Sequence, residues 1–199
     1  MAKFYIILGK NQYLAYYMYM HKLDKLDDGE QDEKYVFHGS HEKFDLVQPK
    51  RNRRIKVQKD GTKNVTFDKV SFHATPYKWI ALAYTYAPKT FELGDKLCYY
   101  NMGVSLYENK KEIEIMGHSS LEESLEKLYG DGGYLFYFEK EKFSHKEGLG
   151  DLEVIIMENI IPYKIERIDN PVEILREMGI NFIWTDLTKP QNAQFQNFK

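Results

Sequence analysis

The chain has 199 residues, enough for one domain with a substantial buried core. Its formal net charge of −2 excludes a protein whose whole surface is a nucleic-acid or membrane footprint. The single cysteine, Cys98, excludes an internal disulfide framework and a cysteine-built zinc site, and it reads as a small hydrophobe in a strand. Tyrosine is abundant at 16 residues, which suits β-rich architecture and ligand platforms because the side chain joins a large apolar body to a polar tip. No stretch approaches the ~18 apolar residues needed to span a bilayer. Met1–Gly9 has a short apolar run and no small-residue cleavage site, so the expectation is a soluble, cytoplasmic protein without a membrane partner.

Lys3–Leu8 reads as a short strand, and the Tyr- and Met-rich Gln12–Met20 fits a helix or a strand equally. Asp24–Lys34 is charged and aperiodic, a solvated link that sets residues 1–34 apart as an N-terminal extension before a domain over 35–199. Tyr35–Ser40 reads as a strand. Lys50–Lys59 carries six Lys or Arg and suggests a hairpin with an exposed basic face, closed by Asp60-Gly61. Val65–Thr75 follows as a strand, and Tyr77–Ala87 as a helix with Thr75 as N-cap, Pro76 at its first position and Pro88 beyond its end. Lys96–Tyr107 and Lys111–Met116 are strand-like. Ser119–Tyr129 is a helix in which Ser120 and Glu123 form a capping box and Gly130 closes the end. Gly133–Glu139, Leu152–Met157 and Tyr163–Ile168 read as strands. A last helix runs from Pro171, after Asn170, to Met178, then Asn181–Thr185 is a strand and Gln191–Lys199 a polar tail. Strands with isolated helices in irregular order predict an α+β fold rather than a doubly wound parallel sheet.

The chemistry concentrates in Tyr35-Val36-Phe37-His38-Gly39-Ser40, followed by Pro49 and then by Val70-Ser71-Phe72-His73-Ala74-Thr75. An imidazole, an approachable backbone and a hydroxyl at the mouth of a strand suit a flat, polar ligand. This order, a strand ending in His-Gly-Ser, a Pro some ten residues on and a Phe-x-Ala-Thr strand leading into an Ala-rich helix, resembles the ADP-ribosyltransferase fold. It is closest to the His–Tyr–Glu, diphtheria-toxin/PARP-like branch. The resemblance covers Tyr35 to Ile168 and implies two packed, mostly antiparallel sheets forming a cleft with peripheral helices.

It also implies NAD as the substrate. Cleaving the C–N glycosidic bond develops positive charge on the ribose, so the protein must orient the nicotinamide half and place a carboxylate beside that charge. By resemblance, His38 bonds the ribose, the Gly39 backbone clamps the carboxamide, Ser40 adds a hydroxyl, and a tyrosine stacks on the nicotinamide. Tyr84, in Ala81-Leu82-Ala83-Tyr84, is the matching ring, with Tyr77 and Tyr86 as competitors. The late carboxylate matches Glu153, with Glu158 and Glu139 as alternatives. The acceptor of the ADP-ribose is an unidentified protein or nucleic acid.

His73 lies two residues before Thr75, as a second histidine does in the RNA 2′-phosphotransferases that share the fold, and Arg51, Arg53 and Arg54 could meet an RNA phosphate. That activity, and a non-catalytic binding module on the same scaffold, are the alternatives, since fold does not fix function. Alternation leaves open whether His73 faces a cleft or solvent. His21, His41, His118 and His145 show no metal-ligand spacing, so no metal site is expected.

Overall fold

Side-chain alternation along β3 (Tyr35–Ser40) and β10 (Gly133–Glu139) sorts the apolar residues into two cores. The computed structural model describes residues 3–7, 13–14, 31–57, 62–93, 96–107, 110–146, 149 and 152–189. These form an α+β fold in which every strand pairing is antiparallel except one. One sheet carries β1 (Lys3–Ile7), β2 (Tyr13–Leu14), β4 (Lys50–Val57), β5 (Lys63–Ala74) and β11 (Val154–Ile156) in the order β11-β5-β4-β1-β2. A second, β12-β10-β3, adds β12 (Lys164–Ile168). A third, β13-β9-β8, is built from β8 (Asn101–Tyr107), β9 (Lys110–Gly117) and β13 (Asn181–Asp186), the last running parallel to β9. Strands β6 (Thr90–Leu93) and β7 (Lys96–Tyr99) make a two-stranded ribbon.

Val36 from β3 and Phe136 and Phe138 from β10 face Ala74 and the half-buried Phe72 of β5, packing the first two sheets together. Phe44 stacks on Phe136 at 3.7 Å between centroids. On the opposite side of β3 and β10, Phe37 and Leu135 meet α1 (Lys78–Ala83), with α2 (Leu121–Tyr129), α3 (Pro171–Glu177) and the third sheet beyond it. Trp79 through Ala83 are all buried, so tertiary packing rather than length sustains this six-residue helix.

The helix is shorter than the Tyr77–Ala87 expected, and its start is different. Thr75 exchanges backbone hydrogen bonds with Phe37, at 2.7 and 2.9 Å, and the helix begins only three residues later, at Lys78. The extended residue before the helix is Tyr77, and the Thr75 hydroxyl accepts the Tyr77 N–H at 3.2 Å. The expected strand Lys96–Tyr107 is broken at Tyr100, whose N–H turns to the Lys89 carbonyl. Ser120 does cap α2, accepting from the Glu123 N–H, and Asn170 caps α3 ahead of Pro171.

Residues 1–34 are less separate than their composition implies. Strand β1 pairs with β4, Lys3 opposite Val57, and Gln31 donates to the Tyr77 hydroxyl at 2.9 Å. The expected solvated link lies partly outside the described residues, as do most of Gln12–Met20, the Asp60-Gly61 turn and the polar tail.

Gly39 is required by a close approach. A Cβ built there would lie 1.7 Å from the Ala81 carbonyl oxygen and 3.0 Å from the Tyr84 backbone. Neither neighbour is a flexible side-chain tip, so the strand or the helix would have to move. Gly39→Ala is expected to cost about 3 kcal/mol or more and to lower the melting temperature by at least roughly 6 °C, read by circular dichroism. Gly179, at φ +75 with open space around it, supplies the contrast: Gly179→Asn should cost less than about 1 kcal/mol. Equal losses in the two variants would contradict the packing account.

Candidate functional site

The three segments that carry the resemblance lie on neighbouring strands. Strand β3 meets β5 through the Phe37–Thr75 bridge, and β5 pairs along its other edge with β11, Val154 opposite Ala74 and Ile155 opposite His73. Beyond the bridge, a side chain completes the contact between β3 and β5: His38 Nδ1 stands 2.9 Å from the His73 carbonyl oxygen. A carbonyl only accepts, so Nδ1 carries the proton. The ring is enclosed by Phe72, Phe44 and Phe136, with centroids 4.5, 5.9 and 6.2 Å away. Burial among these rings pushes its pKa down to about 4.

The opposite face of β5 holds a polar cluster. Alternation and register put Arg54, Phe67, Ser71 and His73 together there, and Glu153 enters from the residue before β11. Arg54 Nη2 donates to Glu153 Oε1 at 2.6 Å and lies 2.6 Å from Oε2, while Arg54 Nε and Glu153 Oε2 are buried without hydrogen-bond partners. The guanidinium side chain is only 7% exposed, against 22% for Glu153 and 21% for His73.

His73 Nδ1 faces Arg54 Nη2 at 3.5 Å, and Nε2 faces Ser71 Oγ at 3.1 Å. Arginine has no acceptor, so Nδ1 must be the bare nitrogen and Nε2–H the donor to the serine. His73 and His38 are thus opposite tautomers. Burial lowers the His73 pKa to about 4, with Glu153 opposing that shift and Arg54 adding to it. Asn52 closes the far end of the cluster, donating from Nδ2 to the Ser71 carbonyl at 2.6 Å and to the Lys50 carbonyl at 3.0 Å.

Tyr84 follows α1 directly and is half-buried. Burial raises its pKa far above the ordinary tyrosine range, helped by Tyr86 and Glu153 and opposed by Arg54, and the ring packs against the core around α1. The two competing rings are core residues. Tyr77 is 1% exposed in the core beneath α1, which leaves no face of its ring for a ligand, and Tyr86 is also buried.

The backbone of Gly39 is pressed against α1, and Ser40 Oγ accepts the Glu42 N–H at 3.1 Å. Of the alternative carboxylates, Glu139 pairs with Lys142 and Glu158 is exposed. The structure therefore joins Glu153 with His73 and Arg54, packs Tyr84 against the core around α1, and sets the His38 ring on the other face of β5.

The basic run is not one exposed face. Arg51 and Arg53 point away from the cluster and meet Asp68, Arg51 through two contacts of 2.8 Å and Arg53 at 3.9 Å, whereas Arg54 is buried. Ser71 and Asn52 were not anticipated as site residues. Their alternation with Phe72 and Arg53 carried the only available signal, and it required knowing which side of the strand was core.

No family model matches the chain, and comparison with curated proteins and with solved structures likewise returns no match. Among the described residues no group of three His, Cys, Asp or Glu could hold a metal, and no helix is long and apolar enough to cross a membrane.

Both histidines are held neutral in the fold but take up protons near pH 6.5 in the unfolded chain. The unfolded state therefore binds more protons between about pH 4 and 6.5, and stability is lost as pH is lowered across that window. Each histidine contributes a slope approaching ~1.4 kcal/mol per pH unit. Urea midpoints measured between pH 7 and 5 should decline accordingly, and His73→Gln should remove about half of the decline. A flat profile in the wild type would overturn these assignments.

Proposed function

We propose that this chain is an NAD-dependent ADP-ribosyl-transfer enzyme, or an NAD glycohydrolase using the same site, on an ADP-ribosyltransferase-type scaffold. One observation carries the reading. The strands holding His38-Gly39-Ser40, His73-Ala74-Thr75 and Glu153 are neighbours, and the Glu153 carboxylate is held on Arg54 with the His73 ring 4.0 Å away.

In this reading the nicotinamide ring stacks on Tyr84, and Glu153 faces the ribose carbon whose bond to nitrogen breaks. The bonding electrons leave with nicotinamide, which departs neutral, and the carboxylate stabilises the oxocarbenium charge that develops. Water then gives ADP-ribose and a proton, or a nucleophile on a protein or nucleic acid takes the ADP-ribose instead. His38, against Phe72, Phe44 and Phe136 on the other face of β5, takes no part in this step, and its Nδ1–H is committed to the His73 carbonyl.

A second reading is favoured by a different observation: Arg54 and His73 share the cluster with Glu153, a cation and an imidazole suited to a phosphate. This reading takes RNA 2′-phosphate as the substrate.

Glu153→Gln keeps the shape and removes the charge. Nicotinamide release should fall by on the order of 10²–10³, while calorimetric NAD affinity stays within a few-fold, because transition-state groups affect rate more than ground-state binding. Equal activity in the two proteins would end the role of Glu153. A wild type that releases no nicotinamide but binds 2′-phosphorylated RNA would favour the second reading. Binding of neither leaves a scaffold function.

A further inference from the structure

The proposed reaction places one demand on the protein that the sequence did not reveal: a carboxylate must be held still beside the ribose. The Glu153 carboxylate is attached just before a three-residue strand, and its only hydrogen bond from a side chain among the described residues comes from Arg54. Arg54 itself is held on a second side. Its Nη2 reaches the bare Nδ1 of His73, whose ring is fixed from behind by Ser71, and Ser71 Oγ and its carbonyl are in turn met by Asn52. Phe67 closes the lateral side, edge-on to the His73 ring at 5.6 Å. The chain of contacts thus runs from the backbone of β4 through Asn52, Ser71 and His73 to Arg54 and ends on the carboxylate. Every link lies on one face of β4 and β5, and Ser71 is 1% exposed.

We propose that Arg54 is the positioning residue of this site: it fixes the Glu153 carboxylate through Nη2, with the Asn52–Ser71–His73 chain setting its own place. The proposal rests on Glu153 being the carboxylate of the proposed reaction. Both contacts are made by Nη2, and a guanidinium fits the role because the directions of its N–H groups are fixed in one plane, whereas the three donors of a lysine ammonium rotate freely about the end of a flexible stem. The unpartnered Nε lies within the same buried plane, so the group has donor capacity that neighbouring side chains do not consume. Arg54 acts through Glu153 and need not touch the substrate.

Two measurements test it, one independent of activity. In Arg54→Lys the positive charge persists while the two-sided geometry is lost. Nicotinamide release is expected to fall about 10- to 100-fold in kcat, with the NAD dissociation constant within about threefold and the far-ultraviolet spectrum unchanged. Wild-type kcat, or a loss confined to NAD affinity, overturns the positioning role. Should the variant fail to fold, Ser71→Ala is the substitute: it loosens the chain from behind, and its kcat is expected to drop with affinity kept.

The second measurement is nuclear magnetic resonance of arginine side chains in the wild type. A guanidinium held on two sides rotates slowly, so Arg54 should show separated Nη signals that merge in Glu153→Gln and weaken in Ser71→Ala. Freely rotating signals in the wild type overturn the proposal. A wild type that releases no nicotinamide but shows the held guanidinium removes the assigned reaction and leaves Arg54 as the residue that fixes Glu153.

Discussion

Two backbone hydrogen bonds between Phe37 and Thr75, at 2.7 and 2.9 Å, are the contact on which the rest of the arrangement depends. They are the only strand-type join between β3 and β5 among the described residues, and those strands belong to two different sheets. The bridge lies three residues before α1, which starts at Lys78 after the extended Tyr77. The end of α1 is packed against Gly39, two residues beyond Phe37 on β3. One pair of residues therefore joins the two sheets where the chain leaves β5 for the helix. Their hydrogen bonds are ordinary in strength, each worth about 1 kcal/mol net. Their importance comes from the number of elements whose positions follow from them.

The arginines of β4 show how a single charged run serves two ends. Arg51 pairs with Asp68 through two short contacts, yet its side chain is 73% exposed, and such pairs contribute little to stability. The Arg54–Glu153 pair is different in kind. Removing two charges from water costs more than a surface pair ever loses, and good geometry repays that cost only in part. Hydrophobic residues of similar volume would hold β4, β5 and β11 together at least as well. A charged pair kept in such a place is better explained by what it does than by what it stabilises. The neutral state of His73 fits this view: a protonated imidazole 3.5 Å from the guanidinium would repel it.

Much of the secondary structure was legible because local rules decide it. Ser120 with Glu123, Asn170 with Pro171, and the aromatic run Gly133–Glu139 all fold as their patterns imply. The site was legible only as a list of residue types. His38 and Glu153 could be picked out, but which face of β5 each occupies depends on the register of β5 with β11 and β4, which is a tertiary property. Tyr77 and Tyr84 are seven apart, a spacing that aligns them only on a continuous helix. The helix spans only Lys78–Ala83, so the two tyrosines are the residues that flank it, Tyr77 fully within the core and Tyr84 half-buried against the same core. The basic run pairs antiparallel with β5 as the expected hairpin requires, but its single exposed face does not form, for the same reason. Read as composition it is one patch, and read as a strand its arginines alternate between solvent and interior.

His73 occupies the point where the two faces of β5 communicate. Its carbonyl accepts from His38 on one face, and its ring contacts Arg54 on the other. A ligand that drew the Nδ1–H of His38 to itself would leave the His73 carbonyl without that donor, at a cost of about 1–3 kcal/mol for a buried polar group. The same withdrawal would release the backbone that carries the His73 ring, and with it the support behind Arg54. A ligand that approached His38 from Nε2 would incur neither cost. The tautomer of one histidine thereby determines which of its nitrogens is open to chemistry, and the carbonyl that fixes that tautomer belongs to the residue whose ring braces the charged pair.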